Sequence, residues 1–271
     1  MTDSLTTLSD EALLSELTDA TAWSEEDRQI NQLCYYEPVS DRARKIHRSE
    51  ATILGIGGGN RSSKTETALV DLVICATGVI PESLKADFPR SKLHGPCKIR
   101  IVCESLTVTM HQVILDKLHW QHWDGVTSPD DPHPKGHWGW IPKFCLLDGS
   151  WEKSWSDKYR TLKVLYRNPD QLDEVIGLSS FQVMSHDQHP TDFESGKFQH
   201  ILMDEPPSHA IFKANRARIL GVDGGRLILA MTWPDNPAIP VEWILDEIYE
   251  KGIPGPKKDP RIDWLTLVTT E

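Results

Sequence analysis

Between Ile53 and Thr65 the chain reads Ile-Leu-Gly-Ile-Gly-Gly-Gly-Asn-Arg-Ser-Ser-Lys-Thr. A phosphate chain is a dense row of negative charge. A peptide can meet it with backbone N–H groups and a helix N-terminus, aimed from a turn that leaves a strand. The pattern for that turn is G-x-x-x-x-G-K-[ST]. Gly58 fills its first glycine, Lys64 its lysine and Thr65 its hydroxyl. The expected nucleotide-binding residues are therefore Gly58, Gly59, Asn60, Arg61, Ser62, Ser63, Lys64 and Thr65. Lys64 would neutralise the β and γ phosphates of ATP, and Thr65 would ligate Mg²⁺. Ser63 departs from the pattern: it stands where the second glycine belongs, bringing a Cβ to a crowded backbone site.

A second constellation is His200-Ile-Leu-Met-Asp-Glu205, an apolar run ending in two acids. Alone it equally fits a strand that runs into an acidic helix cap. Paired with the upstream loop it reads as a Walker B arrangement, in which Asp204 holds Mg²⁺ and Glu205 polarises the attacking water. A third run, Leu227-Ile-Leu-Ala-Met-Thr232, ends in a hydroxyl residue. In ATPases with two acids at this place, such a strand lies beside the acidic one and its end can sense the γ-phosphate, so Thr232 is the third candidate.

Something must position these residues. Ala51–Gly57 has the short apolar texture of a buried strand, and Lys64–Ala76 places apolar residues at helical spacing, with Gly78 as a stop. Further strands are predicted at Lys98–Cys103, Gln199–Met203, Arg226–Met231 and Ile262–Val268. Helices are predicted at Ser105–Leu118, Ser208–Leu220 and Val241–Lys251. Strand and helix alternate, which predicts an α/β fold with a mainly parallel sheet between helices. Upstream, Ser9 and Ser24 can cap two short amphipathic helices, so residues 1–50 read as a small N-terminal helical lid and 51–271 as the P-loop domain. The basic stretch Arg42, Arg44, Lys45, His47 and Arg48 fits a solvated helix face or a basic patch equally well.

The rhythm breaks at about 119–160. Trp120, Trp123, Trp138, Trp140, Trp151 and Trp155 lie there, so an insertion with its own packing is expected. His119, His122, His133 and His137 share the segment, but no Cys/His grid supports zinc. The five cysteines show no C-x-x-C spacing and suggest no disulfide framework. The chain has 271 residues, 39% of them hydrophobic, enough to bury a sizeable core. No apolar run approaches the ~20 residues that span a bilayer, so no membrane partner is expected. The formal charge of −11 repels nucleic acid at long range, so any contact with DNA must come from a local basic patch.

Together these residues resemble the ATPase domain of the large terminase subunit of tailed phages. Gly-Gly-Asn-Arg-Ser-Ser-Lys-Thr-Glu (58–66) is similar to that family's G-G-N-R-S-G-K-T-E, departing at Ser63. Asp204-Glu-Pro-Pro207 looks like its acidic ending. Met231-Thr-Trp-Pro-Asp-Asn-Pro237, with Trp243 and Asp246-Glu-Ile-Tyr249, looks like its coupling segment. Gly139-Trp-Ile-Pro-Lys143 and Ser185-His-Asp-Gln188 fit less specifically. The resemblance runs from about Tyr36 onward.

It implies a RecA-like P-loop NTPase that hydrolyses ATP with Mg²⁺ to drive double-stranded DNA into a procapsid. The implied partners are a portal protein, a small terminase subunit and further copies of the chain in a ring. The implied place is the host cytoplasm, at the portal vertex. It gives Lys64, Glu205 and Arg61 catalytic roles and Thr232 the coupling role. Two family features are missing: the adenine-reading glutamine expected near Ala43, and the arginine shortly before the acidic pair. Arg216 and Arg218 are candidates to serve a neighbouring subunit. Family members usually continue into a nuclease domain, so this chain is expected to be the ATPase part of a longer protein. The rivals are a helicase-like translocase, which would need further arginine motifs, and a nucleotide-binding relic in which Ser63 has abolished turnover.

Overall fold

An apolar strand leads directly into the glycine-rich turn, and the sheet is built outward from it. The computed structural model describes residues 25–122, 136–235 and 240–268. The two predicted N-terminal helices, from Ser9 and from Ser24, have their starts outside the described residues; residues 25–30 are helical.

Helix α1 (Asp41–Arg48) precedes β1 (Ile53–Gly58), and α2 (Lys64–Thr77) follows the turn. Then come β2 (Lys98–Cys103) and α3, a π-helical segment (Met110–Leu115) that ends as α-helix (Asp116–Leu118). The insertion holds a small hairpin of β3 (Trp120–His122) and β4 (Gly136–Trp138), then α4 (Trp151–Ser154) and β5 (Trp155–Ser156). Next are β6 (Thr161–Asn168) and β7 (Gln171–Ser185). The chain closes with β8 (His200–Asp204), α5 (His209–Ile219), β9 (Arg226–Met231), α6 (Glu242–Ile244, Leu245–Tyr249 and Glu250–Gly252) and β10 (Ile262–Leu267).

The main sheet runs β10-β1-β9-β8-β2-β7-β6-β5. From β10 to β7 every pairing is parallel, whereas β6 and β5 join antiparallel. Counted in chain order, β1, β2, β8, β9 and β10 lie 5-1-4-3-2, the RecA-like order. The expected α/β fold is therefore present, and β9 does lie between the loop strand and the acidic strand. In such a sheet a ligand meets the carboxyl ends of the strands. Those ends carry Gly58, Asp204 and Met231.

Two predictions need correction. The helix expected at Ser105–Leu118 is regular only at its end, because the Met110 N–H reaches back five residues to the Ser105 carbonyl and opens a π turn. The strands β6 and β7 were not predicted. Leu162, Val164 and Tyr166 alternate with less buried residues in β6, a period-2 signal that was legible. Much of β7 lacks that signal: Leu172, Val175, Ile176 and Leu178 are exposed.

The basic stretch divides: Arg42, Lys45 and Arg48 are exposed, as on a solvated helix face, while Arg44 is half-buried and His47 turns inward. Arg44 and Arg48 both bond Asp87, at 3.0 and 2.6 Å, and His47 is fully buried against Asp71. Asp71, on α2, is the centre of a buried cluster. Its carboxylate accepts from Lys92, from Arg226 at 3.0 Å and from His47 Nδ1 at 3.2 Å. Arg226 also donates to the Ser49 carbonyl at 3.2 Å, and Lys92 to the His47 carbonyl at 2.9 Å. Burial alone would push the Asp71 carboxyl up, but Lys92 and Arg226 outweigh it and hold the group well below the usual range. The cluster ties α1, α2, the 90–92 turn and β9 together.

Asp71→Ala should therefore destabilise the fold by about 3–5 kcal/mol, the scale for removing one partner of a buried ion pair, because two cations are left buried and unpaired. Urea unfolding at pH 7 checks this; a loss under about 1 kcal/mol, the worth of an exposed pair, would contradict the structural role.

Candidate nucleotide and metal site

A cleft of about 500 Å³ opens between the loop and the ends of β8 and β2. On one side it is lined by residues 60–66, on the floor by Asp204 and Glu205, and on the facing wall by Glu104, Thr109, Val113 and Lys117. Sequence reasoning found the loop and the floor but missed the facing wall. Its residues belong to no motif; only the spacing of Thr109, Val113 and Lys117, four residues apart on a helix, marks one face.

The loop's geometry explains its composition. A Cβ on Gly58 would lie 2.5 Å from the Leu267 carbonyl oxygen and 2.7 Å from Ser62 Oγ, so only glycine lets β10 close over the turn. Ser63 sits in the left-handed region, φ 59° and ψ 22°, which is the reason the pattern asks for glycine there. A side chain there therefore carries backbone strain of about 1–2 kcal/mol. Arg61 is likewise left-handed, φ 61°, and exposed at the rim. Unlike Ser40, Ser150 and Ser208, which cap their own helices, Ser63 makes no side-chain cap bond. The first N–H groups of α2 therefore lack that capping partner and carry the positive end of a helix dipole.

Lys64 is only 6% exposed and folds back on the loop, donating to the Gly59 carbonyl at 2.7 Å. Ser62 Oγ donates to the same carbonyl at 2.8 Å. Burial lowers the Lys64 pKa, against the pull of Glu205 and Asp204. An ammonium held against a carbonyl inside a cleft is poised to exchange that partner for a phosphate oxygen.

Across the cleft, Thr65 Oγ1 donates to Asp204 Oδ1 at 2.6 Å. This bond joins residues 139 positions apart and brings the two expected metal ligands together. Both are hard oxygen donors, the set Mg²⁺ takes alongside phosphate oxygens and water, so the residues fit that ion. Burial pushes the Asp204 carboxyl up to about 6, with Glu205 adding to it and Thr65 and Lys64 opposing. A buried carboxylate so destabilised gains from a cation beside it. Among the described residues no group of three or more His, Cys, Asp or Glu could hold a metal by itself. Of the insertion's histidines, His133 lies outside the described residues, and His119 stacks on Trp151 at 4.0 Å between ring centres.

Glu205 follows in a left-handed conformation, φ 69°, with its N–H on the Ala230 carbonyl at 2.8 Å. Its carboxylate accepts from the Thr232 N–H at 2.9 Å and from Thr232 Oγ1 at 3.3 Å. Thr232 Oγ1 also lies 3.2 Å from Asn60 Oδ1. The residue after β9 thus links Glu205 to the loop. Arg216 pairs with Glu247 at 3.4 Å, and Arg218 donates to the Glu194 carbonyl. The Arg218 carbonyl accepts from Phe198, before the start of β8, so both arginines lie near the end of that strand opposite Asp204.

The chain matches no family model and no curated protein. It is similar to solved structures of large terminases. The ATPase domain of the Thermus phage P74-26 large terminase shares 17% identity at a TM-score of 0.47, over 87% of this chain and 82% of that one. A large terminase from a thermophilic bacteriophage shares 13% identity at 0.48, over 85% of this chain and 44% of that one. A form of the latter in complex with ADP is similar over 90% of this chain, at 13% identity and 0.46.

Two tests follow from this geometry. The folded Asp204 value lies above its unfolded value near 4, so the protonated form stabilises the fold at low pH, and that contribution is lost as pH rises through about 6. Asp204→Asn should then raise the stability of the nucleotide-free protein by about 2 kcal/mol at pH 8 and hardly change it at pH 4. Urea melts at the two pH values check it; equal effects at both would refute the shift. Ser63→Gly relieves about 1–2 kcal/mol of left-handed strain against a chain-entropy cost of about 0.4–1 kcal/mol, so stability should hold or rise slightly. Nucleotide affinity should rise as well, read by titration with a fluorescent ATP analogue. A clear loss of affinity would mean that the serine hydroxyl itself contacts phosphate.

Proposed function

We propose that this chain is the ATPase domain of a viral DNA-packaging motor, a large terminase. The observation that carries the reading is the Thr65–Asp204 bond, which joins the turn after β1 to the acidic end of β8, across β9, at the carboxyl edge of a 5-1-4-3-2 sheet. The terminase-like motifs around it, from the 58–66 loop to the 231–237 segment, select this reading over other P-loop enzymes. The similar terminase solved with ADP, and another form of it solved with ATP-gamma-S, accord with ATP as the ligand.

In this reading the α2 N-terminus and Lys64 bind the β and γ phosphates. Thr65 and Asp204 hold Mg²⁺, which when bound offsets charge on the phosphate oxygens. Glu205 orients and deprotonates the attacking water. Its hydrogen bonds to Thr232 hold the carboxylate toward β9, so a small shift of that strand can move it into or out of line. Thr232 then couples hydrolysis to movement of α6 and of bound double-stranded DNA. A ring of copies on a portal protein, fed by a small terminase subunit at the procapsid vertex in the host cytoplasm, completes the motor. A helicase reading would call for further arginine motifs, and among the described residues lining the cleft Arg61 is the one arginine.

Steady-state ATPase assays with and without Mg²⁺ and double-stranded DNA test the proposal. Lys64→Ala should lose nucleotide binding, whereas Glu205→Gln should retain it and lose hydrolysis by about 10²-fold or more. A Glu205→Gln enzyme that turns over at the unmodified rate would sink the assignment. Tight nucleotide binding with no turnover in the unmodified chain would favour the relic reading.

A further inference from the structure

The cleft holds three side-chain cations, Arg61, Lys64 and Lys117, against four carboxylates, Glu66, Glu104, Asp204 and Glu205. Two of those cations belong to the loop. Lys117 alone comes from the facing wall among the described residues lining the cleft, and no motif assigns it a role. Its side chain is 26% exposed and rests on Glu66, in the first turn of α2, with Nζ 3.8 Å from Oε2.

Its backbone is held with care. Thr109, Val113 and Lys117, four residues apart along α3, all line the cleft, with the π segment Met110–Leu115 between the first and the last. From the other side the Trp-rich insertion clamps the helix end. The Trp140 N–H donates to the Lys117 carbonyl at 2.8 Å, and Ile141 N–H to Leu118 at 3.1 Å. The fit is close: a Cβ on Gly139 would lie 2.5 Å from both the Lys117 oxygen and the Leu118 carbonyl carbon.

We infer that Lys117 contacts the terminal phosphate of the bound nucleoside triphosphate, reading its presence and stabilising the charge that shifts there during transfer. The inference rests on the ATPase reading above. An ion pair of 3.8 Å with one partly exposed carboxylate is weak. A triphosphate offers several negative charges in the same cleft, so Lys117 exchanges Glu66 for phosphate. In hydrolysis the bond from the water oxygen to phosphorus forms as the bond to the ADP oxygen breaks. The water's proton passes to Glu205, ADP and phosphate are released, and Lys117 keeps its own protons throughout. The sequence has no arginine shortly before the acidic pair, and Lys117 supplies a cis cation from a different element. Because the insertion grips the same helix end, it also sets where that cation stands.

The test measures ATPase kcat and KM together with affinities for fluorescent ATPγS and ADP. Variants are Lys117→Met, which keeps the aliphatic stem, Lys117→Arg, and Gly139→Ala, with thermal melts to confirm folding. Lys117→Met should lower kcat by about 10²-fold, the scale for losing one transition-state donor, and weaken ATPγS but not ADP. Lys117→Arg should recover most of the rate. Gly139→Ala, if folded, should mimic Lys117→Met in part. Unchanged kcat and unchanged ATPγS-to-ADP preference in Lys117→Met would overturn the inference while leaving the ATPase reading intact. Equal weakening of both nucleotides would overturn it too, since that reports general cleft charge. An unmodified protein that binds neither nucleotide would instead overturn the ATPase reading, and this inference with it.

Discussion

The carboxylate of Asp71 sits under the whole site. It lies fully buried on α2 among Lys92, Arg226 and His47, and through them it joins the helix that starts at the glycine-rich turn to β9, the strand that leads to Thr232. Two cations surround one anion out of contact with water, an arrangement whose desolvation cost is repaid only if its geometry is kept. Removing one partner from such a cluster costs several kcal/mol, because a charge is left buried and unpaired. Its partners Arg226 and Lys92 reach into the backbone carbonyls of Ser49 and His47, just ahead of β1. Helix α2 therefore cannot tilt relative to β1 or β9 without breaking a buried bond. The turn above inherits that rigidity.

The carboxyl end of the sheet shows the opposite economy. Arg61, Ser63 and Glu205 all lie in the left-handed region, which costs non-glycine residues free energy. Lys64 is buried against a carbonyl, and Asp204 is held near the edge of protonation. Each is a local loss in the nucleotide-free protein. Each also leaves a group whose best partner is a phosphate or a cation brought from outside. The surrounding sheet tolerates these losses because its core strands, from Leu54 to Leu229, are buried on both faces.

The insertion has a role that its composition concealed. Its tryptophans read as packing, and several do pack: Trp120 against Trp138, and Trp151 against Trp155. Its backbone N–H groups at Trp140 and Ile141, however, end α3 by satisfying its last carbonyls, much as a cap would. Through that contact the insertion borders the nucleotide cleft. The β6–β7 hairpin beyond it extends the sheet past β2 and leaves aliphatic residues such as Ile176 and Leu178 in solvent.

Much of this was legible in the sequence because the information is local. The turn Gly58–Thr65 is contiguous, since consecutive N–H groups must converge on one phosphate. The apolar strand before it, the amphipathic helix after it and the acidic pair at Asp204–Glu205 are likewise short runs whose periodicity and endings speak for themselves. The sequence alone determined the α/β class and the placing of a glycine-rich turn between β1 and α2. Tertiary structure decided what depends on distant partners. Strand order put Thr65 within 2.6 Å of Asp204 and set Thr232 on Glu205. It turned His47 of the basic stretch inward onto Asp71 and left Arg42, Lys45 and Arg48 exposed on the solvated face of α1. It brought Lys117 to the cleft from a helix that carries no motif. Gly139, more than seventy residues past the loop, allows the close approach that holds it. Such positions follow from the packing of whole elements, and no local run of residues encodes them.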